Sequence, residues 1–104
     1  MYRLTTPTHT FTLPFDTSTC SAIQVTYEQG KIALVKEYKG GIPPSGMVLD
    51  GANVIVVLTQ DETKQFKTGK VNVQLRVLTT DGEAFASKIF KIPVTDVLNE
   101  DILE

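Results

Sequence analysis

Val71-Asn72-Val73-Gln74-Leu75-Arg76-Val77 is the stretch that decides the fold. Apolar and polar side chains trade places at every step, and an extended strand puts such neighbours on opposite faces. Val71, Val73, Leu75 and Val77 then look inward, with Asn72, Gln74 and Arg76 turned to solvent. A helix would repeat its apolar positions every three or four residues, and this run does not.

The same period continues in both directions. Ile23, Val25 and Tyr27 share one face against Gln24, Thr26 and Glu28. His9, Phe11, Leu13 and Phe15 share another, backed by Thr8, Thr10 and Thr12, and Phe90, Ile92 and Val94 make a further stripe. Turn chemistry stands between the runs: Gln29-Gly30, Asp50-Gly51 and Asp81-Gly82 are hairpin signals. Gly40 to Gly46 reads as a long loop, because Pro43 and Pro44 lack the N–H a central strand donates. Thr59-Gln60-Asp61-Glu62 has capping-box spacing and predicts one short helical turn, with Gly69 as its exit and Phe66 folded back as an apolar plug.

The expected strands are 8–15, 21–28, 31–39, 46–49, 53–59, 70–79 and 84–94. About seven short strands closing on a long hairpin predict an all-β, two-sheet immunoglobulin-like sandwich with one short helical turn. A small barrel is the other closure such strands permit. Residues 1–94 form the sandwich domain and 95–104 an acidic tail, whose Asp96, Glu100, Asp101 and Glu104 have no basic neighbour in the sequence.

A chain of 104 residues has room for one domain around one core. Its 41% hydrophobic content is that of a globular protein and argues against disorder. Ten basic against twelve acidic side chains leave no basic surplus for neutralising phosphates, so no nucleic-acid partner is expected. Cys20 is the only cysteine and forms no intrachain disulfide, which fits a reducing cytoplasm or a particle assembled in one. Met1 to Pro7 turns polar at once, without the apolar core of a signal peptide. The longest apolar run, Val54 to Leu58, falls far short of the roughly 20 residues that span a bilayer, so no membrane partner is expected.

Catalytic chemistry finds few candidates. His9 is the only histidine. Were 8–15 and 21–28 a hairpin around Asp16 to Cys20, His9 would lie opposite residues near Thr26. Cys20 would then be on the order of 20 Å away, at roughly 3.3 Å per residue, too far for a dyad. One Cys and one His cannot supply a zinc site, and no calcium-loop spacing occurs. Asp50 and Asp81 suit the turns they precede, Asp61 and Glu62 suit the start of a helical turn, and Asp16-Thr17-Ser18-Thr19 suits a turn closed by side chains. Gly40-Gly41 does not open a phosphate loop. There is no Trp to make a flat sugar platform, and Tyr2, Tyr27 and Tyr38 lie far apart. The expectation is a protein that binds other proteins, is not an enzyme, and uses no cofactor and no metal.

Val54-Ile55-Val56-Val57-Leu58 departs from the alternation. Val54, Val56 and Leu58 serve one face, which leaves Ile55 and Val57 on the other; Ala33 and Val35 do the same behind Ile32 and Leu34. A strand apolar on both faces is usually buried on both. Two readings fit Ile55 and Val57: a protein–protein contact, or cover by the Pro43-Pro44 loop or the C-terminal segment. In Val97-Leu98-Asn99-Glu100-Asp101-Ile102-Leu103 the apolar residues recur with roughly helical spacing, which suits either docking on a neighbouring subunit or a frayed terminus. Ile55, Val57, Ala33, Val35, Leu98 and Ile102 are the candidate interface residues.

Three stretches carry a family resemblance: Thr6-Pro7-Thr8-His9-Thr10-Phe11-Thr12-Leu13-Pro14-Phe15-Asp16, Leu58-Thr59-Gln60-Asp61-Glu62-Thr63, and Val73 to Gly82. Together they resemble small proteins encoded in phages and prophages of Gram-positive bacteria, in a pattern similar to the N-terminal domain of phage baseplate upper proteins. The resemblance implies a structural module of a tailed phage or prophage that forms a homo-oligomer or joins other tail proteins, in the virion or the bacterial host cytoplasm. It brings no catalytic residues. A stand-alone β-sandwich module binding a carbohydrate or a peptide is the alternative.

Overall fold

A computed structural model describes residues 1–104. The strands are β1 (Thr8–Thr12), β2 (Cys20–Gln29), β3 (Ile32–Lys39), β4 (Met47–Asp50), β5 (Asn53–Val57), β6 (Gly69–Thr79), β7 (Ala84–Ala86) and β8 (Phe90–Val94). A 3-10 turn at Thr17–Thr19 and one short helix, α1 (Gln60–Lys64), complete the elements.

The strands form two antiparallel sheets. One has the order β1-β5-β4; the other has the order β3-β2-β6, with β7 and β8 following each other along the far edge of β6. Alternation builds the core as expected. Ile23, Val25 and Tyr27 of β2, Val71, Val73, Leu75 and Val77 of β6, and Val54 and Val56 of β5 are buried in one cluster. The molecule is therefore an all-β sandwich and not a closed barrel. Its two layers match the expected sandwich, and its strand order departs from the immunoglobulin-like one. Constant-type immunoglobulin domains place their second and third strands in different sheets; here β2 and β3 form one hairpin, with Gln29 paired to Ile32.

The hairpin considered for β1 and β2 does not form. β1 pairs with β5, His9 opposite Val56 and Phe11 opposite Val54. The connection explains why. Asp16 caps the 3-10 turn by accepting from the Ser18 N–H at 2.9 Å, and Thr17 donates its N–H and its hydroxyl to Gly51 O at 2.8 and 2.6 Å. The linker is pinned to the β4–β5 turn, so the chain crosses to the other sheet before β2 begins.

Two bulges keep the apolar stripes inward. The stretch expected as one strand, 84–94, is two segments in one arm. Arg76 pairs with Ala86 and Val73 with Phe90, so Gln74 and Leu75 of β6 face three residues of the arm, Ser87, Lys88 and Ile89. The extra residue reverses the parity of the arm, and Phe85 and Phe90 both point to the inner face although one is odd and the other even. Ser87 fills the gap in the ladder. Its hydroxyl accepts from the Leu75 N–H at 3.0 Å, and its own N–H donates to Leu75 O at 2.9 Å. The start of β2 repeats the device: the pairing shifts between Cys20 and Ala22, and the Ser21 hydroxyl lies 3.2 Å from Leu78 O. Cys20 and Ile23, three positions apart, are thereby buried together.

α1 carries the capping box expected of it: Thr59 Oγ1 accepts from the Glu62 N–H at 3.1 Å, and Glu62 Oε1 accepts from the Thr59 N–H at 2.9 Å. Phe66 is fully buried beyond it, its ring centroid 6.4 Å from that of Tyr27. No helix is long and apolar enough to cross a membrane.

The tail is neither helical nor free. Arg3 pairs with Asp96 at 2.7 Å and also with Glu100, while its Nε donates to Phe66 O at 2.6 Å. Two of the four acidic residues that lack a basic neighbour in the sequence, Asp96 and Glu100, thus meet one from the opposite end of the chain. Further on, the Gln60 side-chain amide brackets Leu103, donating to its O at 2.9 Å and accepting from its N–H at 2.8 Å. The tail docks on its own domain because two polar anchors hold it, Arg3 through the Asp96 and Glu100 carboxylates and Gln60 through the Leu103 backbone, whatever the spacing of its apolar residues.

Candidate functional site

A cleft of about 720 Å³ opens in the surface between β1 and the β7–β8 arm. Leu75 and Val77 of β6 form its floor. Phe11, Leu13 and Phe15 come from the side of β1, and Phe85, Phe90 and Ile92 from the arm. Ring centroids stand 6.2 Å apart for Phe11 and Phe90 and 5.5 Å apart for Phe15 and Phe85. Phe85 and Phe90 face inward by register yet keep 45% and 37% of their surface exposed, because no strand lies between them and solvent. Lys91 is the only Lys, Arg, Asp or Glu in the lining, and Lys88 stacks its Nζ 5.4 Å from the Phe90 ring centre at the rim.

His9 closes one end. Its Nδ1 is 2.7 Å from the Tyr27 hydroxyl oxygen, with ring centroids 5.6 Å apart. Burial, reinforced by the N-terminal amine, pushes the imidazole below its usual pKa, and burial, reinforced by Glu62, pushes the phenol up. Both shifts favour the neutral forms, and the Tyr27 hydroxyl and Nδ1 share one hydrogen bond. Cys20 sits seven residues up β2 from Tyr27, about 23 Å at roughly 3.3 Å per residue. His9 contacts Tyr27 near the far end of β2, so its distance from Cys20 follows from the length of β2 and not from a β1–β2 hairpin. Burial raises the pKa of the thiol. No group of three His, Cys, Asp or Glu side chains comes together around a common point.

The backbone along the cleft matters as much as the side chains. Leu13 N–H donates to Ala52 O, and Leu58 N–H donates to Pro7 O. Antiparallel pairing alternates, so the odd residues of β1 are bonded to β5 while the N–H and C=O groups of Thr8, Thr10 and Thr12 face the strand's free edge. These three threonines themselves line the cleft, which therefore runs along the edge of β1 as well as under its inner face. Such edges are usually blunted by Lys, Pro or a bulge. Thr8–Thr12 has none of these, whereas the arm has Lys88, Lys91, Pro93 and the bulge at Ser87.

The six candidate interface residues do not converge. Ile55 and Val57 lie on the outer face of the three-stranded sheet, Ile55 between Thr10 and Val48 and Val57 beside Thr8. Ile55 is half-buried, and Val48 and Val57 are exposed, so neither the Pro43-Pro44 loop nor the tail covers this face completely. Ala33 and Val35 are exposed on edge strand β3, on the outer face of the other sheet. Leu98 and Ile102 are exposed in the tail, Leu98 completely. The cleft is hidden in the sequence because Phe85 stands out of step with Phe90. That break in parity, beside Ser87, was its one visible sign. No protein-family model, curated protein or solved structure matches the chain.

Proposed function

We propose that this chain is a non-enzymatic assembly module of a tailed phage or prophage, baseplate- or tail-associated, that works by holding other proteins. The observation that supports it most is the aromatic cleft, where inward-facing Phe85 and Phe90 remain open to solvent. Exposed apolar surface of this kind is costly to leave uncovered and commonly marks a contact. The phage setting rests on the resemblance of residues 6–16, 58–63 and 73–82. A stand-alone binding module for a carbohydrate or peptide is the second reading, favoured by the Phe rings that line the cleft.

The test is solution mass by light scattering over a range of concentrations, for the chain alone and co-expressed with the products of its neighbouring genes. A defined oligomer, or a complex with a tail component that persists on dilution, is expected. A strict monomer that joins none of those products overturns the assembly reading and leaves the stand-alone module.

A further inference from the structure

We infer that the cleft is completed by an extended segment of a partner protein, added as a fourth strand to the free edge of β1. This rests on the reading of the chain as a protein-binding module and names what the site takes. Three observations support it independently of the resemblance. The N–H and C=O groups of Thr8, Thr10 and Thr12 face the cleft and no strand of this chain bonds them. Between Pro7 and Pro14 the β1 edge carries no charge, proline or bulge to repel a strand. The three-stranded sheet is narrower than the sheet it faces, which is four strands wide when the arm is included.

A strand bonded to β1 places alternate side chains over the inner face, where Phe85 and Phe90 await cover, and turns the others outward in line with the threonines. The segment is therefore apolar at every second position. Lys91 is the one charged lining residue and has no acidic neighbour in the cleft, so an Asp or Glu at that end of the segment fits it. Main-chain bonds supply the affinity and the Phe85–Phe90 surface the choice of side chains, the usual division in strand addition.

A random-peptide display selection against the intact, immobilised chain tests this, followed by amide hydrogen exchange on the chain with and without the best peptide. Enriched peptides should alternate apolar and polar residues and slow exchange at Thr8, Thr10 and Thr12 at least tenfold. Thr10→Pro removes one edge donor from a position where the fold does not use it, and should weaken binding more than tenfold with an unchanged circular dichroism spectrum. Phe85→Ala, at a half-exposed position, should weaken it without touching the edge. Enrichment without alternation, or protection that bypasses the three threonines, overturns the inference. Protection of the same amides that grows with protein concentration, without peptide, assigns the edge to a second copy and overturns it also. In each of those cases a persistent oligomer or tail complex by light scattering still upholds the assembly reading.

Discussion

The Nδ1 of His9 and the hydroxyl oxygen of Tyr27 lie 2.7 Å apart, a polar bridge from the three-stranded sheet to the five-stranded one. Tyr27 is completely buried and its hydroxyl needs a partner there; His9 is half-buried and supplies one. Burial favours the neutral form of each, and the bond suits both.

This bridge makes stability depend on pH in a definite direction. The folded pKa of His9 is depressed below the ordinary 6.5, so the unfolded chain takes up the proton first. Its contribution is complete above that ordinary value and is lost as the pH falls through the folded one. Urea midpoints should therefore decline across the histidine range on acidification. His9→Gln should flatten that decline, and an identical slope in the variant would refute the assignment. Tyr27→Phe should cost about 1 kcal/mol at neutral pH, the usual worth of one such bond.

Lys36 projects from the inner face of β3, and its Nζ is 2.6 Å from Glu62 Oε2, with side-chain exposures of 13% and 17%. Burial alone would raise the Glu62 pKa; the Lys36 ion pair and the Thr59 N–H outweigh it and hold the carboxyl below its usual value. Lys36→Met should cost about 2 kcal/mol at neutral pH, less than a fully buried pair would. The depressed group stabilises above its unfolded pKa of 4.5 and loses that contribution as the pH falls through the folded value. The deficit of the variant should thus shrink in acid, as read from urea unfolding at neutral pH and at about pH 3. A deficit independent of pH would mean lost packing and not lost charge.

The bulge at Ser87 sets which way the arm faces. Ser87→Ala should cost about 1 kcal/mol through the Leu75 N–H it leaves without a side-chain acceptor. Deleting Ser87 removes the extra residue, turns Phe85 or the Phe90 stripe outward, and should cost roughly 3 kcal/mol or more. Thermal melts of the two variants compare them; equal losses would show that the parity of the arm is unimportant.

Gly46 has φ +83, and a Cβ there would stand 2.6 Å from Val57 O, in the turn where the Val57 N–H donates to Gly46 O at 2.7 Å. Gly46→Ala should cost about 2 kcal/mol or more, since strain and clash coincide. Gly30→Ala, at φ +58 with nothing within 4 Å, should cost about 1 kcal/mol from the backbone alone. Chemical denaturation of both variants separates the two effects.

Ile55 and Val57 test the outer face. Ile55→Lys together with Val57→Lys should leave stability within about 1 kcal/mol, because neither side chain is fully buried. If this face joins copies of the chain, the double variant should lower the mass seen by light scattering. An oligomer of unchanged mass would exclude Ile55 and Val57 from the contact.

Local periodicity was enough to locate β2, β3, β5 and β6, to bury Val71, Val73, Leu75 and Val77, and to place the capped turn at Thr59 with Phe66 behind it. These features follow from the strict two-residue alternation of a strand and the short reach of a helix cap, and both can be read from neighbours in the chain. The partner of each strand cannot. β1 joins β5 because Thr17 is fastened to Gly51, and Arg3 joins Asp96 and Glu100 across nearly the whole chain. The cleft depends on both kinds of fact. Its phenylalanines were present in the sequence, but a single extra residue beside Ser87 decides that Phe85 and Phe90 share a face, and only the sheet order decides that β1 ends there with its edge unpaired. Hydrogen bonds between distant segments fix these outcomes, and no window of neighbouring residues contains them.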